Sequence, residues 1–167
     1  VIVYHSSESK GKGENMFSHI FFIILLALAI ACCVLISVAD FRHRIIPDKY
    51  LFPLMLIGLI LTSFYSFPIS IHSAVIGASF GYILGLITGT IFERALSHKT
   101  NQSHTPIGLG DIKLLGVGGL WLGINGLGVA LIIACLAGEV WAHRKHQRYI
   151  PFAPFFFIGG FLSFITN

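Results

Sequence analysis

The 167-residue chain is 55% hydrophobic and only 11% charged, with a mean hydropathy of +0.84. Soluble domains carry about 25% charged residues, so a water-soluble globule is excluded and the apolar surplus must face lipid. The formal charge of +4 does not point to nucleic acid, because the basic residues sit in short loops between apolar segments, where they orient a protein in a membrane.

Residues 1–15 are polar, contain Gly11 and Gly13, and read as a tail that is disordered or added to the natural chain, with Met16 a natural start. The membrane domain is expected over 16–167. Spanning the hydrocarbon core takes about 20 apolar residues at about 1.5 Å of rise each. Phe17 to Ala39 meets that length without a formal charge. Tyr50 to Ser66 is shorter and carries Pro53 in its expected first turn, where proline is tolerated. Ser73 to Phe92 follows, with Gly77, Gly81, Gly85 and Gly89 on every fourth residue, a smooth stripe that lets another helix backbone approach. Asp111 to Gly123, Ile124 to Trp141 and Ile150 to Ile165 complete the set.

Charge fixes the count. Arg42, Arg44 and Lys49 follow the first segment, Arg94 and Lys99 the third, and Arg144, Lys145 and Arg148 precede the last. The connections at Ser66 to His72 and Gly123 to Asn125 hold no lysine or arginine. Six crossings with the N-terminus outside put every basic loop in the cytoplasm, whereas one helix over Asp111 to Trp141 sends the Arg144 cluster to the wrong side. The expected fold is therefore all-α, a polytopic bundle of about six transmembrane helices. Cys32, Cys33 and Cys135 lie in apolar stretches without a C-x-x-C pair and read as packing residues, neither disulfides nor metal ligands.

Ionisable groups at membrane depth are costly and mark function. Asp40 ends the first span, in Ser37-Val-Ala-Asp-Phe-Arg-His-Arg-Ile-Ile-Pro-Asp48, and Asp111 opens the fourth, in Gly108-Leu-Gly-Asp-Ile-Lys113. The charge-derived topology sets both on the cytoplasmic side. Two converging carboxyls suit an aspartyl protease: one, ionised, takes a proton from the attacking water, and the other, protonated, hydrogen-bonds the scissile carbonyl. Singly, each aspartate reads as a helix cap or an ion-pair partner of a neighbour such as Arg42. Asp48 reads as a cap of the second helix, and Glu139 as an ion-pair or hydrogen-bond partner near the basic cluster. Lys113 either acts on the Asp111 carboxyl or meets a lipid phosphate.

Together these residues resemble the type IV prepilin peptidases, membrane aspartyl proteases with a G-x-G-D motif. The first motif is matched by Asp40, Arg42, Arg44, Ile46, Pro47 and Asp48, and the second by Gly108, Gly110, Asp111, Lys113, Leu114 and Leu115. Ile150-Pro151-Phe-Ala-Pro154 is similar to the family's Ile-Pro-Phe-Gly-Pro element, with Ala153 replacing glycine. The resemblance implies that Asp40 and Asp111 are the catalytic pair of an aspartic endopeptidase in the bacterial inner membrane. Its expected partners are membrane lipid and a prepilin or pseudopilin, whose basic leader it cuts after a glycine at the cytoplasmic face. Larger members carry a domain with two C-x-x-C pairs that binds zinc and is linked to N-methylation. No such pairs occur here, so no zinc, no other cofactor and no methyltransferase activity are expected.

Two rivals stand beside this reading. Presenilin-like proteases share G-x-G-D but pair it with Tyr-Asp and Pro-Ala-Leu, whereas Ala39 precedes Asp40 and Pro-Ala-Leu is absent. A small ion- or proton-coupled transporter would use the same aspartates as relay groups, with helices broken around Gly108 to Gly110. There is neither H-E-x-x-H nor G-x-S-x-G. Helix-end electrostatics divide the pair: Asp40 at a C-terminal end is expected to be the resting acid, and Asp111 at an N-terminal end the resting carboxylate.

Overall fold

A computed structural model describes the backbone of residues 2–97, 108–145 and 151–166, and the side chains of 16–91, 94, 108–144 and 151–165. Helices form over the expected apolar segments: α1 (Ile2–His43), α2 (Asp48–Tyr65), α3 (Ile71–Ser97), α4 (Leu109–Lys145) and α5 (Phe152–Thr166), and α1 also takes in residues 2–15, which were expected to be a polar tail. No strand occurs among the described residues. Met16–His43, Asp48–Tyr65, Ile71–Ile91 and Leu109–Arg144 are long and apolar enough to cross a membrane, and Phe152–Ile165 is a shorter apolar helix.

Among the described residues the helices number five where about six were expected, and the difference lies at Gly123. Residues there were expected to form a connection, but the helical element runs through them with a kink. Gly123 takes φ 67 and ψ −174, a conformation essentially confined to glycine. Beyond the kink the chain folds back. A Cβ added to Gly81 would meet the Leu115 carbonyl and Leu127 Cδ2, residues that a straight helix would separate by about 18 Å. The arms on either side of Gly123 stand where the fourth and fifth segments were expected.

Packing inside the bundle follows the small residues. Gly77 and Gly81 of the expected stripe lie against the backbone carbonyls of Gly119 and Leu115 on α4, too close for any side chain. Gly159 of α5 lies against the backbone of Ala130, where an added Cβ would stand 2.6 Å from the carbonyl oxygen. Such close approach supplies the van der Waals contact that holds helices together in lipid, where no hydrophobic drive acts between them. Ile36, Leu61, Leu114, Leu127 and Phe156 are fully buried at the centre, while Phe17, Phe64, Ile132 and Phe161 face outward. That apolar exterior is what a lipid solvent requires.

Local signals set the helix ends. The Arg44 N–H closes α1 on the Asp40 carbonyl at 2.9 Å, with Arg44 itself left-handed at φ 54. Pro47 then supplies the extended residue that starts α2, its carbonyl accepting from Tyr50 and Leu51. Because α2 begins two residues earlier than expected, Pro53 lies beyond the first turn, inside the helix. Its missing N–H leaves the Lys49 carbonyl without an intrahelical donor.

Candidate active site

The end of α1, the starts of α2 and α4, and the start of α5 meet at one end of the bundle. Asp40 is 5% exposed. Its Oδ2 accepts a 2.7 Å hydrogen bond from the Ala153 N–H, 113 residues away. Ala153 is fully buried and is the second residue of α5, so its N–H is one of those that a helix start leaves without an internal partner. Pro151 and Pro154 flank this donor and contribute no N–H of their own.

Asp111 lies in the first turn of α4, where the Gly108 carbonyl accepts its N–H at 3.0 Å and that of Ile112 at 3.4 Å. Its carboxyl leans back over Gly108, with Oδ2 3.6 Å from where a Cβ there would stand. Gly110 is held against the loop between α1 and α2: a Cβ on it would come within 2.9 Å of the Ile46 Cβ. Asp40 and Asp111 are close enough for the charge of one to act on the other. Among the described residues no Cα of α1 lies within 8 Å of one on α4. The two carboxyls thus lie near each other on helices whose backbones stand apart.

A second contact joins the motifs. Lys113 Nζ donates to Asp48 Oδ2 at 2.6 Å, both side chains being exposed. The helix-cap role expected of Asp48 is not seen, since Pro47 occupies the cap position without a side-chain hydrogen bond and Asp48 lies in the first turn. Lys113 is directed to Asp48, a partner not foreseen for it. Arg42 and Arg44 are exposed at the mouth of this end. A cavity of about 560 Å³ opens beside the ion pair, between α2, α3 and α4, with Leu51, Met55, Tyr82 and Val117 among its walls. Glu139 is exposed on α4 and makes no ion pair with another described residue. Lys99, Arg148 and Ile150 lie outside the described residues.

Ala153 is the site residue that reading side chains missed. Its contribution is a backbone N–H, and the one hint was the flanking proline pair, which marks a helix start. The division of the carboxyls by helix ends considered each aspartate's own helix alone. The structure adds a second helix start, that of α5, and it points at Asp40.

The fold and site thus define a multi-pass helical membrane protein with two carboxyls gathered at one end. The matching family model is that of the type IV leader peptidase family, over residues 20–143. The chain belongs to that family. It is 34% identical over 148 residues to the prepilin leader peptidase/N-methyltransferase of Escherichia coli strain K12, covering 81% of this chain and 62% of that protein. The protein of the same name from Xanthomonas campestris pv. campestris is 32% identical over 146 residues, 83% of this chain and 48% of its own length. The one from Dichelobacter nodosus is 29% identical over 168 residues, 99% of this chain and 52% of its own length. The chain therefore spans about half to three-fifths of the length of these relatives. No solved structure matches it. Nothing in these comparisons supports the transporter reading.

Proposed function

We propose that this protein is a prepilin leader peptidase, an aspartic endopeptidase that cuts the basic leader from type IV prepilins or pseudopilins. The reading rests on one observation. The three motifs interlock at a single end of the bundle: Asp40 with Ala153, Ile46 with Gly110, Asp48 with Lys113, and Asp40 near Asp111. In this reading Asp40 and Asp111 are the catalytic residues. The ionised carboxyl takes a proton from water as it attacks the scissile carbonyl. The protonated one donates to the carbonyl oxygen and helps carry the developing negative charge. Gly108 and Gly110 let the backbone and an extended substrate strand come close, and residues 16–167 form the peptidase domain. The relatives' names join two activities; the proposal covers the peptidase alone, because the chain has three cysteines and no C-x-x-C pair.

The carboxyl end is assigned to the cytoplasmic face of the bacterial inner membrane, with the N-terminal side of α1 outside. Arg42, Arg44 and Lys49 cluster at that end, as the bias of positive charge toward the cytoplasm requires. An impermeant thiol reagent should then reach a cysteine placed at His43 only from the cytoplasm, and one at Ser66 from outside. The reverse pattern would invert the assignment.

The function is tested by co-expressing the protein with candidate pilin precursors and weighing them. Loss of the leader mass in its presence, and only then, is the expected result. Precursors that keep their full mass beside well-inserted protein would remove the proposal.

A further inference from the structure

We propose that the N-terminus of α5 is a working part of this site: the Ala153 N–H positions Asp40 and holds it as the carboxylate of the pair, leaving the shared proton to Asp111. The inference rests on the aspartyl reading above and reverses the division expected from each aspartate's own helix.

The bond has the geometry of a charge-assisted contact, 2.7 Å from a backbone N–H to a carboxylate oxygen. It is not a local cap, since donor and acceptor lie 113 residues apart. It is directed, because the N-cap position and the third residue of α5 are Pro151 and Pro154, which have no N–H. The free donors of the first turn are therefore those of Phe152 and Ala153, and Ala153 points at Asp40. A helix start favours negative charge near it, and no described residue of α5 is charged, so nothing else on that helix competes for the position. Ala153 is fully buried, so a larger side chain there would push α5 off the carboxyl and lengthen the bond.

Other charges at this end leave the arrangement standing. Arg42, His43 and Arg44 on and after α1 are exposed, as is Lys49 on α2, and Asp48 is engaged by Lys113. The second arm of α4 returns to this end, where Trp141 packs against Phe41 and Phe155 and where Glu139, His143 and Arg144 are exposed, without a described hydrogen bond or ion pair to Asp40. Asp111 is the group whose charge is in play with Asp40. Two close carboxyls do not both ionise readily, so a donor fixed on one of them decides which keeps the proton. Asp111 also sits at a helix start, so helix-end fields no longer separate the two. The Gly108 backbone also lies against the Asp111 carboxyl, but the short directed bond, 2.7 Å to a buried oxygen, is the one on Asp40.

The test replaces Ala153 by lactic acid through nonsense suppression, changing the amide N–H to an ester oxygen with the side chain unaltered. In the otherwise intact protein, kcat for leader cleavage should fall about tenfold or more with KM nearly unchanged. The acid limb of the kcat profile should move to higher pH by about one unit or more, because a carboxylate that loses a charge-assisted donor keeps its proton longer. A purely structural anchor would lower thermal stability and leave the pH profile in place, and that result overturns the proposal. A second arm needs no substrate. In Asp111→Asn protein, the infrared C=O band of a neutral Asp40 should persist to higher pH once the ester is present. An unmoved band contradicts the inference. A moved band, together with a parent protein bearing both aspartates that cleaves no precursor, would instead retain the inference and sink the peptidase reading.

Discussion

The two ends of the bundle are held together by different means. At the carboxyl end, beside the aromatic packing of Phe41, Trp141 and Phe155, there are polar and directional contacts: Ala153 N–H to Asp40, and Lys113 to Asp48. At the other end they are mainly apolar and set by shape. Phe22 packs edge-on against Tyr65 and Phe67, with ring centroids 5.2 Å apart in each case, and Phe67 stacks on Phe164 at 6.3 Å. The Gly123 kink sits among them, with a Cβ there 3.4 Å from Ile69 Cδ1. Polar links such as the exposed Lys113–Asp48 pair stabilise a bundle little, an exposed ion pair contributing about 0.2–1 kcal/mol. They are a good way to fix the angle at which a carboxyl stands. In the proposed reading, chemistry belongs to one end and assembly to the other.

The strongest way to break that contrast is to remove the chemistry without touching the assembly. Asp40→Asn and Asp111→Asn each keep the shape of the side chain, and neither amide can serve in proton transfer. Each variant should lower leader cleavage by about 10³-fold or more, within the range of acid–base effects, with membrane insertion unchanged. Processing within tenfold of the parent by either variant would mean that the pair is not the machinery.

One substitution made at both ends sharpens the comparison. Gly110→Ala puts a Cβ 2.9 Å from that of Ile46, wedging the first motif away from the second. A displacement of about 1 Å at a reacting group is worth up to 10²-fold, so cleavage should drop about 10- to 100-fold with insertion intact. Gly123→Ala asks a side-chain-bearing residue to hold φ 67, which costs about 1–3 kcal/mol. This variant should unfold at lower temperature in detergent while each folded molecule cleaves at its normal rate. Equal readouts from the two variants would erase the distinction between the ends.

Much of this was legible in the sequence, and the misses have physical causes. Asp40, Asp111 and the glycine stripe are side-chain patterns, and the structure sets the stripe against α4 at Gly77 and Gly81. The helix count missed by one because composition does not distinguish a loop from a glycine-centred reversal inside a continuous element. The Ala153 contact was invisible because an N–H belongs to every residue but proline, and only topology says which one reaches a carboxyl. Glu139 was expected to find a partner from its neighbours in sequence, but on α4 it faces outward. The aromatic cluster at the far end could not be read because 15 phenylalanines are spread through the chain, and any of them fits an apolar helix.

The smallest expected effect concerns the ion pair. Lys113→Gln or Asp48→Asn should lower stability by about 0.2–1 kcal/mol, the usual worth of an exposed pair, measured by thermal unfolding in detergent. The exchanged double variant, Lys113→Asp with Asp48→Lys, should recover most of it. A loss of several kcal/mol would show that this link carries the fold and not only the angle between two motifs.

The central claim is that water, activated between two carboxyls, breaks the leader bond. It is tested most directly by one turnover of a purified leader-bearing precursor, with protein in excess, in oxygen-18 water. Direct attack by water predicts a released leader whose new carboxylate carries one heavy oxygen in that first turnover. A first-turnover leader without the label would mean that an enzyme carboxyl attacked and formed an acyl intermediate, and an intact precursor would mean that this end of the bundle is not a peptidase site.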